Sequence, residues 1–369
     1  MSEPLADGRE LVASLIGDEA GAWDVAGRLP AELLRDLGAR GLLCAQVPAE
    51  FGGLGASSLD NGEFTAHVGS ICSSVRSVMT SQGMAAWSIQ RLADAQQRRA
   101  FLPQLTSGGL AAVAFSEPEA GSDLSAVSTE ITSSGRTAVV TGRKKWTTAA
   151  VYADVIVVFG RYGDGAGAVV VPASAPGVHV APVENPLGCR AAGHANLTFD
   201  AVRVPAENVL GGTGFSLPLL VTAALAYGRM SVAWGCAGIL RGCLSAAAHH
   251  ARSREQFGKP LADHQLVQRH LADLLAAEQI SRRACEHASR CWDAGSPEAV
   301  TAAVLAKYVA AAHAARGAAA AVQVLASAGA TDQQLVARAY RDSKLMEIIE
   351  GSNEICQMIL ADHAVATAC

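Results

Sequence analysis

Residues 155–171 read Val-Ile-Val-Val-Phe-Gly-Arg-Tyr-Gly-Asp-Gly-Ala-Gly-Ala-Val-Val-Val, which is two short apolar runs on either side of a glycine-rich turn. Short β-branched runs are typical of strands. The glycines from Gly163 also fit a loose Gly-x-Gly-x-x-Gly/Ala pattern, but they lead into a strand and not into a helix. Without a helix N-terminus there is no dipole to hold a pyrophosphate. The stretch therefore predicts a β-hairpin and not a dinucleotide-binding turn.

Similar β-branched runs, each closed by Gly, Pro, Asn or Asp, occur on both sides of this hairpin: Thr137 to Val140, Val178 to Val180 and Leu197 to Phe199. Before and after this region the apolar residues recur at intervals of three and four, which is the period of helices. The order is helices, strands, helices, and not the alternating pattern of a doubly wound sheet. We expect an α+β multidomain protein with an N-terminal α-helical domain (1–112), a middle antiparallel β-barrel-like domain (113–212) and a C-terminal four-helix bundle (213–369).

The bulk composition excludes several classes of function. The formal net charge is only −5, so nothing in the balance attracts nucleic acid or anionic lipid. No basic segment followed by an apolar run opens the chain, and no uninterrupted apolar run approaches the roughly 20 residues of a membrane span. We expect a soluble, cytoplasmic protein. The nine cysteines include no Cys-x-x-Cys pair and the histidines no His-Glu-x-x-His set, so we expect neither a disulfide scaffold nor a metal site. No Gly-x-Ser-x-Gly elbow supports an esterase.

Two polar segments lie at the entry to the β region and about twenty residues later. The first, residues 115–123, reads Phe-Ser-Glu-Pro-Glu-Ala-Gly-Ser-Asp, and by composition alone it is a loop. The second, residues 144–148, reads Lys-Lys-Trp-Thr-Thr and presents an indole and two hydroxyls at the end of a strand. A single Trp in such a place is more often part of a core or a cover for a hairpin than a platform for a cofactor.

Two further segments lie in the C-terminal helical region. Residues 252–261 read Arg-Ser-Arg-Glu-Gln-Phe-Gly-Lys-Pro-Leu, which alone is a basic helix end with a Gly and Pro stop. In the last segment Gly351 ends a helix, and Ser352 or Asn353 can cap the next one. Glu350 follows Met346, Ile348 and Ile349, so partial desolvation and a helix C-terminus would both raise its pKa. A carboxyl tuned in this way suits a general base, although most carboxylates at helix junctions are solvated surface charges.

Together these segments resemble four motifs of the acyl-CoA dehydrogenase family, "TEPxAGSD", "KxWITN", "RxQFGxPL…Q" and "YEGT/S", in the family's order. The resemblance runs along the whole chain. It implies the acyl-CoA dehydrogenase fold and an FAD-dependent oxidation of an acyl thioester at Cα–Cβ, with Glu350 as the catalytic base.

The resemblance also assigns binding roles. Arg229 and Gly351 match family positions near the substrate and the base loop. The Arg254 stretch matches one that reaches the FAD of a neighbouring subunit, which implies a homodimer or tetramer that shares its FAD sites. The positions that match FAD contacts of the family are Phe115, Ser116, Gly121, Ser122, Trp146, Thr148, Arg254, Gln256, Phe257, Gln265, Gln323, Ser327, Ser352 and Glu354.

Two positions bear on the limits of the resemblance. A minority of the family carries its base on an earlier helix immediately before an Arg, and here that position is Gly228, which cannot accept a proton. Where the family usually has "QxxGGxG" near the FAD pyrophosphate, this chain has Ala326 and Ser327 in place of glycines that permit a close backbone approach. This departure concerns the affinity for FAD and not the type of reaction.

Several stretches, among them residues 61–67, 77–87 and 344–351, resemble the branch of the family that acts in polyketide biosynthesis. Members of this branch help to convert a glyceryl group on an acyl carrier protein into hydroxymalonyl, the precursor of the methoxymalonyl extender unit. The substrate would then be an acyl-phosphopantetheine thioester on a carrier protein. An aminomalonyl-pathway enzyme and a short-chain acyl-CoA dehydrogenase acting on a CoA thioester remain alternatives. A catalytically inactive module that docks a carrier protein is the non-enzymatic alternative.

Overall fold

The computed structural model describes residues 3–215 and 217–367. The N-terminal region is helical, as the spacing of its apolar residues predicts, and two of its helices, α4 and α6, begin at side-chain caps. Ser57 accepts a hydrogen bond from the backbone N–H of Asp60, and Asp94 forms a capping box with Gln97. The helices are α1 (Glu3–Ile16), α2 (Ala20–Ala26), α3 (Ala31–Ala39), α4 (Ser58–Ile71), α5 (Ser73–Leu92) and α6 (Ala95–Thr106).

The middle region forms one sheet. Its strands are β1 (Ala111–Ala114), β2 (Glu130–Ser134), β3 (Thr137–Thr147), β4 (Val155–Tyr162), β5 (Gly165–Pro172), β6 (Val178–Pro182), β7 (Ala195–Pro205) and β8 (Val209–Phe215). Their order is β6-β7-β3-β2-β4-β5-β8, with β1 also paired to β4. Strands β4 and β5 are antiparallel, and Tyr162 lies opposite Gly165 across the turn at Gly163. The glycine-rich stretch is thus a hairpin, as predicted.

The sheet differs from a purely antiparallel one at β4, which pairs in parallel with both β1 and β2. The sequence does not predict strand β2, because four of its five residues are exposed and only Ile131 is buried. Such a strand has almost no hydrophobic pattern, and its position is set by pairing with β3. Strands β3 to β7, in contrast, contain the runs that the sequence predicts, whereas no strand is predicted at β1, although it is apolar and buried, or at β8.

The C-terminal region is a bundle around α7, which packs against α4, α5, α8, α9 and α10. Its elements are α7 (Leu217–Ser253), β9 (Glu255–Gln256), β10 (Lys259–Pro260), α8 (Gln265–Asp293), α9 (Ala299–Leu325), α10 (Leu335–Ile348) and α11 (Asn353–Thr367). By length and composition, residues 224–253 and 299–329 could each span a membrane, but their most apolar windows are 72% and 44% buried within the protein. Burial against neighbouring helices accounts for the apolar character of the first segment, whereas less than half of the second window is buried.

Helix α5 lies in the centre of the molecule and contacts α4, α6, α7 and β1. Almost all of it is buried, yet it carries an unusual number of polar side chains, including Arg76, Thr80 and Gln82. The Gln82 side chain is fully paired with backbone groups of Leu105, Gly109 and Ala111. Buried polar groups of this kind need partners, so α5 fixes how the helical regions meet the sheet.

The turn after α9 adopts a backbone conformation that is unfavourable for its residue. Ala326 has φ 52° and ψ −131°, a region that glycine populates readily and other residues rarely. It is the first of the two positions at which the family motif has glycine. The turn thus keeps a glycine-like backbone although the side chain has changed.

We predict that Ala326→Gly raises the free energy of unfolding by about 1 kcal/mol, because relief of the strain exceeds the entropy that a glycine adds to the unfolded chain. Urea unfolding of the two proteins measures the difference. Ala328→Gly is the matched control, since Ala328 lies in the same turn without a positive φ and should lose stability on substitution. A loss of stability in both variants would contradict the prediction.

Candidate active site

Glu350 lies in the short connection between α10 and α11. It has φ 55° and is followed by Gly351 at φ 84°, so two consecutive residues adopt left-handed conformations. Such a conformation is costly for a glutamate and persists only where its surroundings hold it. The chain reverses sharply here, and the turn directs the Glu350 side chain inward instead of towards solvent.

The Glu350 carboxyl lies against α7 at Gly228. A Cβ at position 228 would overlap Oε2 of Glu350 and approach Met84 Sδ to 2.8 Å. Although residue 350 as a whole is half-buried, Oε2 is shielded from solvent and has no hydrogen-bond partner in the part of the chain described. Burial raises the pKa of Glu350 to about 7, against the opposing charges of Arg229, Lys307 and Arg76. Burial thus acts on this pKa in the direction that the sequence predicts, and the contact that buries the carboxyl is with α7.

Two buried cations hold the loop through its backbone. Arg229 Nε donates to the carbonyl oxygen of Glu350 at 3.0 Å. Lys307 Nζ on α9 donates to the carbonyl oxygens of Gly351 at 2.8 Å and Glu347 at 3.3 Å, and to Asn353 Oδ1 at 3.2 Å. Because helix C-termini leave carbonyl groups unpaired, these cations satisfy groups that would otherwise be buried without partners.

The loop at 115–123 is fastened to β3 by a buried ion pair. Lys144 Nζ donates to Glu117 Oε1 at 2.8 Å and to the carbonyl oxygen of Phe115 at 2.9 Å. Burial opposes ionisation of Glu117, but hydrogen bonds from Lys144, Thr129 and Ser128 outweigh it and lower the pKa to about 2. The pair brings together the first two predicted segments, and Lys145 N–H adds a 2.8 Å bond to the Ser116 carbonyl oxygen.

At the end of β3, Trp146 and Thr148 lie beside His194. The Trp146 side chain is 51% exposed and its backbone has φ 53°, so a flat indole face is open. Thr148 Oγ1 lies 3.2 Å from His194 Nδ1, and His194 Nε2 is buried without a partner in the described chain. Burial lowers the pKa of His194 to about 4, so its ring is neutral near pH 7.

Helix α5 joins this end of β3 to the Glu350 loop. Ser81 Oγ donates to the carbonyl oxygen of Thr148 at 3.0 Å, while Thr80 Oγ1 lies 2.7 Å from Ser231 Oγ on α7. Ser231 is one turn beyond Gly228, which contacts the Glu350 carboxyl. Contacts of the adjacent residues Thr80 and Ser81 therefore connect the second and fourth predicted segments through one short stretch of α5.

The third segment lies elsewhere. From Gly228 to Ser253, helix α7 runs for roughly 37 Å, and the stretch that contains Arg254 begins only there. Its members Arg254, Gln256, Phe257 and Gln265 are exposed, Phe257 by 94% of its surface. Within one chain these residues do not join the site around Glu350.

The remaining predicted residues lie at the start of α11, at the end of α9 and in the 115–123 loop. Ser352 caps α11, since its Oγ accepts from the N–H of Ile355 at 3.4 Å, and it also lowers the pKa of Glu354 through a side-chain hydrogen bond. Gln323 and Ser327 are exposed at the far end of α9. Gly121 and Ser122 lie exposed at the tip of the 115–123 loop, and nothing lies within 4 Å of a Cβ placed on Gly121.

These features fit an isoalloxazine. An open indole face lies beside the Thr148 hydroxyl, a glycine-containing loop has free space, and an unpaired carboxyl lies across α5. When bound, FAD supplies the hydride acceptor for the reaction. Phe115 and Ser116 lie at the base of the loop, with Phe115 stacked on Phe159 at 4.3 Å between ring centroids.

All three domains of one enzyme family match the chain: the acyl-CoA dehydrogenase N-terminal domain over residues 5–109, the middle domain over 112–202 and the C-terminal domain over 212–365. The chain therefore belongs to the acyl-CoA dehydrogenase family. It is an FAD-dependent oxidoreductase of the class that acts on the CH–CH group of acyl thioesters.

Individual relatives agree with this assignment. Human mitochondrial short-chain specific acyl-CoA dehydrogenase is 32% identical over 343 residues, which cover 90% of this chain and 82% of the relative. The solved structure of FkbI, described as serving biosynthesis of the methoxymalonyl extender unit of the FK520 polyketide immunosuppressant, is 63% identical with a TM-score of 0.94. That similarity covers 98% of this chain and 99% of FkbI. A Mycobacterium smegmatis glutaryl-CoA dehydrogenase in complex with FADH2 is 25% identical, with a TM-score of 0.92 and coverage of 100% and 96%.

The sequence did not single out Lys307, Lys144, His194 or Arg76. A lysine within an alanine-rich helix gives no sign that it binds a distant loop, and only the burial of Lys307 reveals it. His287, Cys291 and Glu298 place one ligand atom each within 4.8 Å of one another near the α8–α9 connection. The His287 and Glu298 residues are exposed, and this arrangement alone does not define a metal site.

We predict that Lys144→Met lowers the free energy of unfolding by about 3–5 kcal/mol, because it leaves the buried Glu117 carboxylate without its cation. Chemical denaturation at pH 7 measures the loss. Adding Glu117→Gln should restore part of it, since the charge left without a partner is then removed. Lys344→Met is the control, because the exposed Lys344–Glu347 pair should contribute less than about 1 kcal/mol.

Proposed function

We propose that the protein oxidises the Cα–Cβ bond of a short acyl group carried as a phosphopantetheine thioester on an acyl carrier protein, with Glu350 as the base. The observation that carries the catalytic assignment is the unpaired, desolvated Glu350 carboxyl, which fills the space that Gly228 leaves open. A base needs a pKa near the working pH, and burial provides it. The 63% identity with FkbI supports the carrier-linked substrate and the methoxymalonyl pathway.

The residues have separate tasks in this proposal. Glu350 removes the α-proton of the thioester, and the Glu350 backbone N–H donates to the thioester carbonyl oxygen. Donors aimed at the developing enolate oxygen are the largest source of rate enhancement in such reactions. The Thr148 hydroxyl and the Trp146 face orient the flavin, while Arg229 and Lys307 hold the Glu350 loop.

For a glyceryl thioester, loss of the α-proton to Glu350 and of the β-hydride to FAD gives an enediol, which tautomerises to an aldehyde. The short-chain acyl-CoA and aminomalonyl alternatives use the same base and the same oxidation. A docking module without catalysis is disfavoured because the carboxyl, the hydroxyl near the flavin position and the loop-binding cations are all in place. Turnover of glyceryl carrier protein compared with butyryl-CoA tests which substrate the enzyme uses.

The exposed segment with Arg254, Gln256, Phe257 and Gln265 contributes, in this proposal, to the FAD site of a neighbouring subunit. Its separation from the Glu350 loop along α7 and its exposure support that role. The proposed enzyme is a cytoplasmic homodimer or tetramer. Each subunit has domains at 1–112, 113–212 and 213–369. Gln323 and Ser327 contribute to the same shared FAD site. Arg254→Ala should then weaken FAD binding without changing the Glu350 loop.

We predict that Glu350→Gln keeps the flavin absorbance near 450 nm but lowers the rate of flavin bleaching by substrate at least about 1,000-fold, because the amide cannot accept the α-proton. Stopped-flow absorbance measures this rate. Asp362→Asn, which changes an exposed carboxylate further along α11, is the matched control and should bleach at more than a tenth of the wild-type rate. Full activity of Glu350→Gln would remove the base from residue 350.

We predict that kcat/KM rises with pH to a plateau above about pH 7, the pKa to which burial raises Glu350, and falls about tenfold per pH unit below it.

The free energy of unfolding should change in the opposite direction and fall as the pH rises. The pKa of Glu350 in the folded protein lies above the ordinary value of 4.5. The neutral carboxyl therefore stabilises the fold fully below pH 4.5, and this stabilisation is lost as the pH rises from there through 7. Melting temperatures of wild type and Glu350→Gln between pH 5 and 8 should therefore diverge, with wild type losing more.

A further inference from the structure

Three arginines line a groove at the surface, between the end of α5, the start of α6 and the segment at residues 48–51. The groove has a volume of about 380 Å³, and its walls include Arg91, Arg98, Arg99, the rings of Phe51 and Trp87, and one carboxylate, Glu50. The formal net charge of the whole chain is −5, whereas this groove has three cations and one anion. It is therefore a local positive region on an acidic protein.

The charges of these arginines are not neutralised within the part of the chain that the structure describes. None of the three is in an ion pair there, and Glu50 lies beyond ion-pair distance of them. Arg98 donates only to backbone carbonyl oxygens, those of Asp94 at 3.3 Å and Gln90 at 3.4 Å. Arg91 packs over the Trp87 ring, with its guanidinium carbon 5.6 Å from the ring centroid. The groove thus presents cations that are positioned but not paired with an anion.

Two of the arginines lie where helix electrostatics disfavours them. Arg98 and Arg99 are the fourth and fifth residues of α6, and the first turn of this helix has no acidic residue. The carboxylate of the N-cap residue Asp94 accepts from the N–H of Gln97 and is not paired with an arginine side chain. Because a helix N-terminus carries a partial positive charge, it repels cations and attracts anions. An anionic partner in the groove would therefore be attracted by the arginines and by the helix end together.

The groove adjoins the active site through α5. Trp87 is three residues after Met84, whose Sδ borders the space at Gly228 beside the buried carboxyl. The Trp87 ring also stacks with that of Tyr227, the residue before Gly228, with 6.4 Å between the ring centroids. Arg91 lies about 10 Å beyond Met84 along the axis of α5. A macromolecule bound in the groove would thus lie next to the site and remain at the surface.

We propose that this groove is the docking surface for an acidic face of the acyl carrier protein that bears the substrate. This inference rests on the proposed function and names the place where its partner binds. A carrier protein has to hold its pantetheine arm at the site while its own fold stays outside, so it needs a contact surface close to the site. Complementary charge gives such a contact its specificity and its association rate, and the rings of Phe51 and Trp87 give it apolar area.

The test uses the double variant Arg91→Glu/Arg99→Glu, in which two exposed cations become anions. Anaerobic stopped-flow absorbance follows flavin bleaching of the FAD-loaded enzyme by glyceryl thioesters of an acyl carrier protein, of CoA and of pantetheine. The concentration that gives half of the maximal bleaching rate should rise at least about tenfold for the carrier protein and less than about twofold for the other two, which present no protein surface. High salt should raise the wild-type concentration for the carrier protein in the same direction.

The matched control is Arg28→Glu/Arg316→Glu, which makes the same change of net charge at two exposed arginines outside the groove. Its half-saturating concentration of carrier protein should differ from that of wild type by less than about threefold. Titration calorimetry with the phosphopantetheinylated carrier protein, without an acyl group, measures docking independently of turnover. The dissociation constants should show the same order, with the groove variant at least about tenfold weaker than wild type and the control.

The outcomes separate docking from the proposed oxidation. An unchanged half-saturating concentration of carrier protein in the groove variant overturns docking and leaves the oxidation intact. An equal rise with glyceryl-CoA assigns the groove to a phosphate, and an equal rise with all three thioesters indicates a damaged site, so each of these results also overturns docking. Weaker calorimetric binding to the variant, with no bleaching of wild type by any thioester, supports docking and overturns the oxidation.

A single substitution keeps the proposal testable if the double variant does not fold. The Arg99 side chain is exposed and makes no hydrogen bond in the described chain, so Arg99→Glu should leave the fold intact. The half-saturating concentration of carrier protein should then rise at least about threefold, with no change for the pantetheine thioester. Equal values for this variant and wild type in a folded protein would overturn docking.

Discussion

The carboxyl group of Glu350 lies in space that exists only because residue 228 has no side chain. This contact between an interhelical turn and the central helix α7 sets the properties of the site. It removes the carboxyl from water and raises its pKa to about 7, and it requires the chain to reverse through two residues with positive φ. Any side chain at position 228 would expel the carboxyl, so a base on α7 and a base on the α10–α11 loop exclude each other here.

This constraint explains why Arg229 and Lys307 bind the backbone of the Glu350 loop and not its carboxyl. Had Arg229 or Lys307 paired directly with the Glu350 carboxylate, the ionised form would be favoured and the pKa would fall below the range useful to a base at neutral pH. Both bind backbone carbonyl oxygens of the loop instead. Their charges still oppose the effect of burial, but less strongly than a direct ion pair would. The loop is therefore held in place while its carboxyl stays able to gain and lose a proton.

How far the sequence predicts the molecule depends on whether a feature is local. Apolar patterns located the helices and the strands β3 to β7, and the hairpin at Gly163 followed from its turn residues. Strand β2 could not be predicted, because its register depends on β3 and its own residues are mostly exposed. The same distinction applies to the site. The run Met346, Ile348, Ile349 before Glu350 predicted desolvation in the right direction, but Ile348 is 54% exposed and it is α7 at Gly228 that covers the carboxyl. The contacts of Lys307 and Lys144 likewise join residues far apart in sequence.

The buried polar side chains on α5 are of two kinds, those whose hydrogen-bonding groups are all paired and those that keep an unpaired atom. Gln82 has all its hydrogen-bonding groups paired with backbone atoms, so it joins α5 to the start of the sheet. Arg76 keeps an unpaired Nε at the same depth, and its charge acts on His194 and Glu350, each of which also has an unpaired buried atom. A core designed for stability alone would be better filled by apolar residues. Gln82 thus joins two elements of the fold, whereas the unpaired buried atoms of Arg76, His194 and Glu350 carry a cost that no hydrogen bond within the described chain offsets.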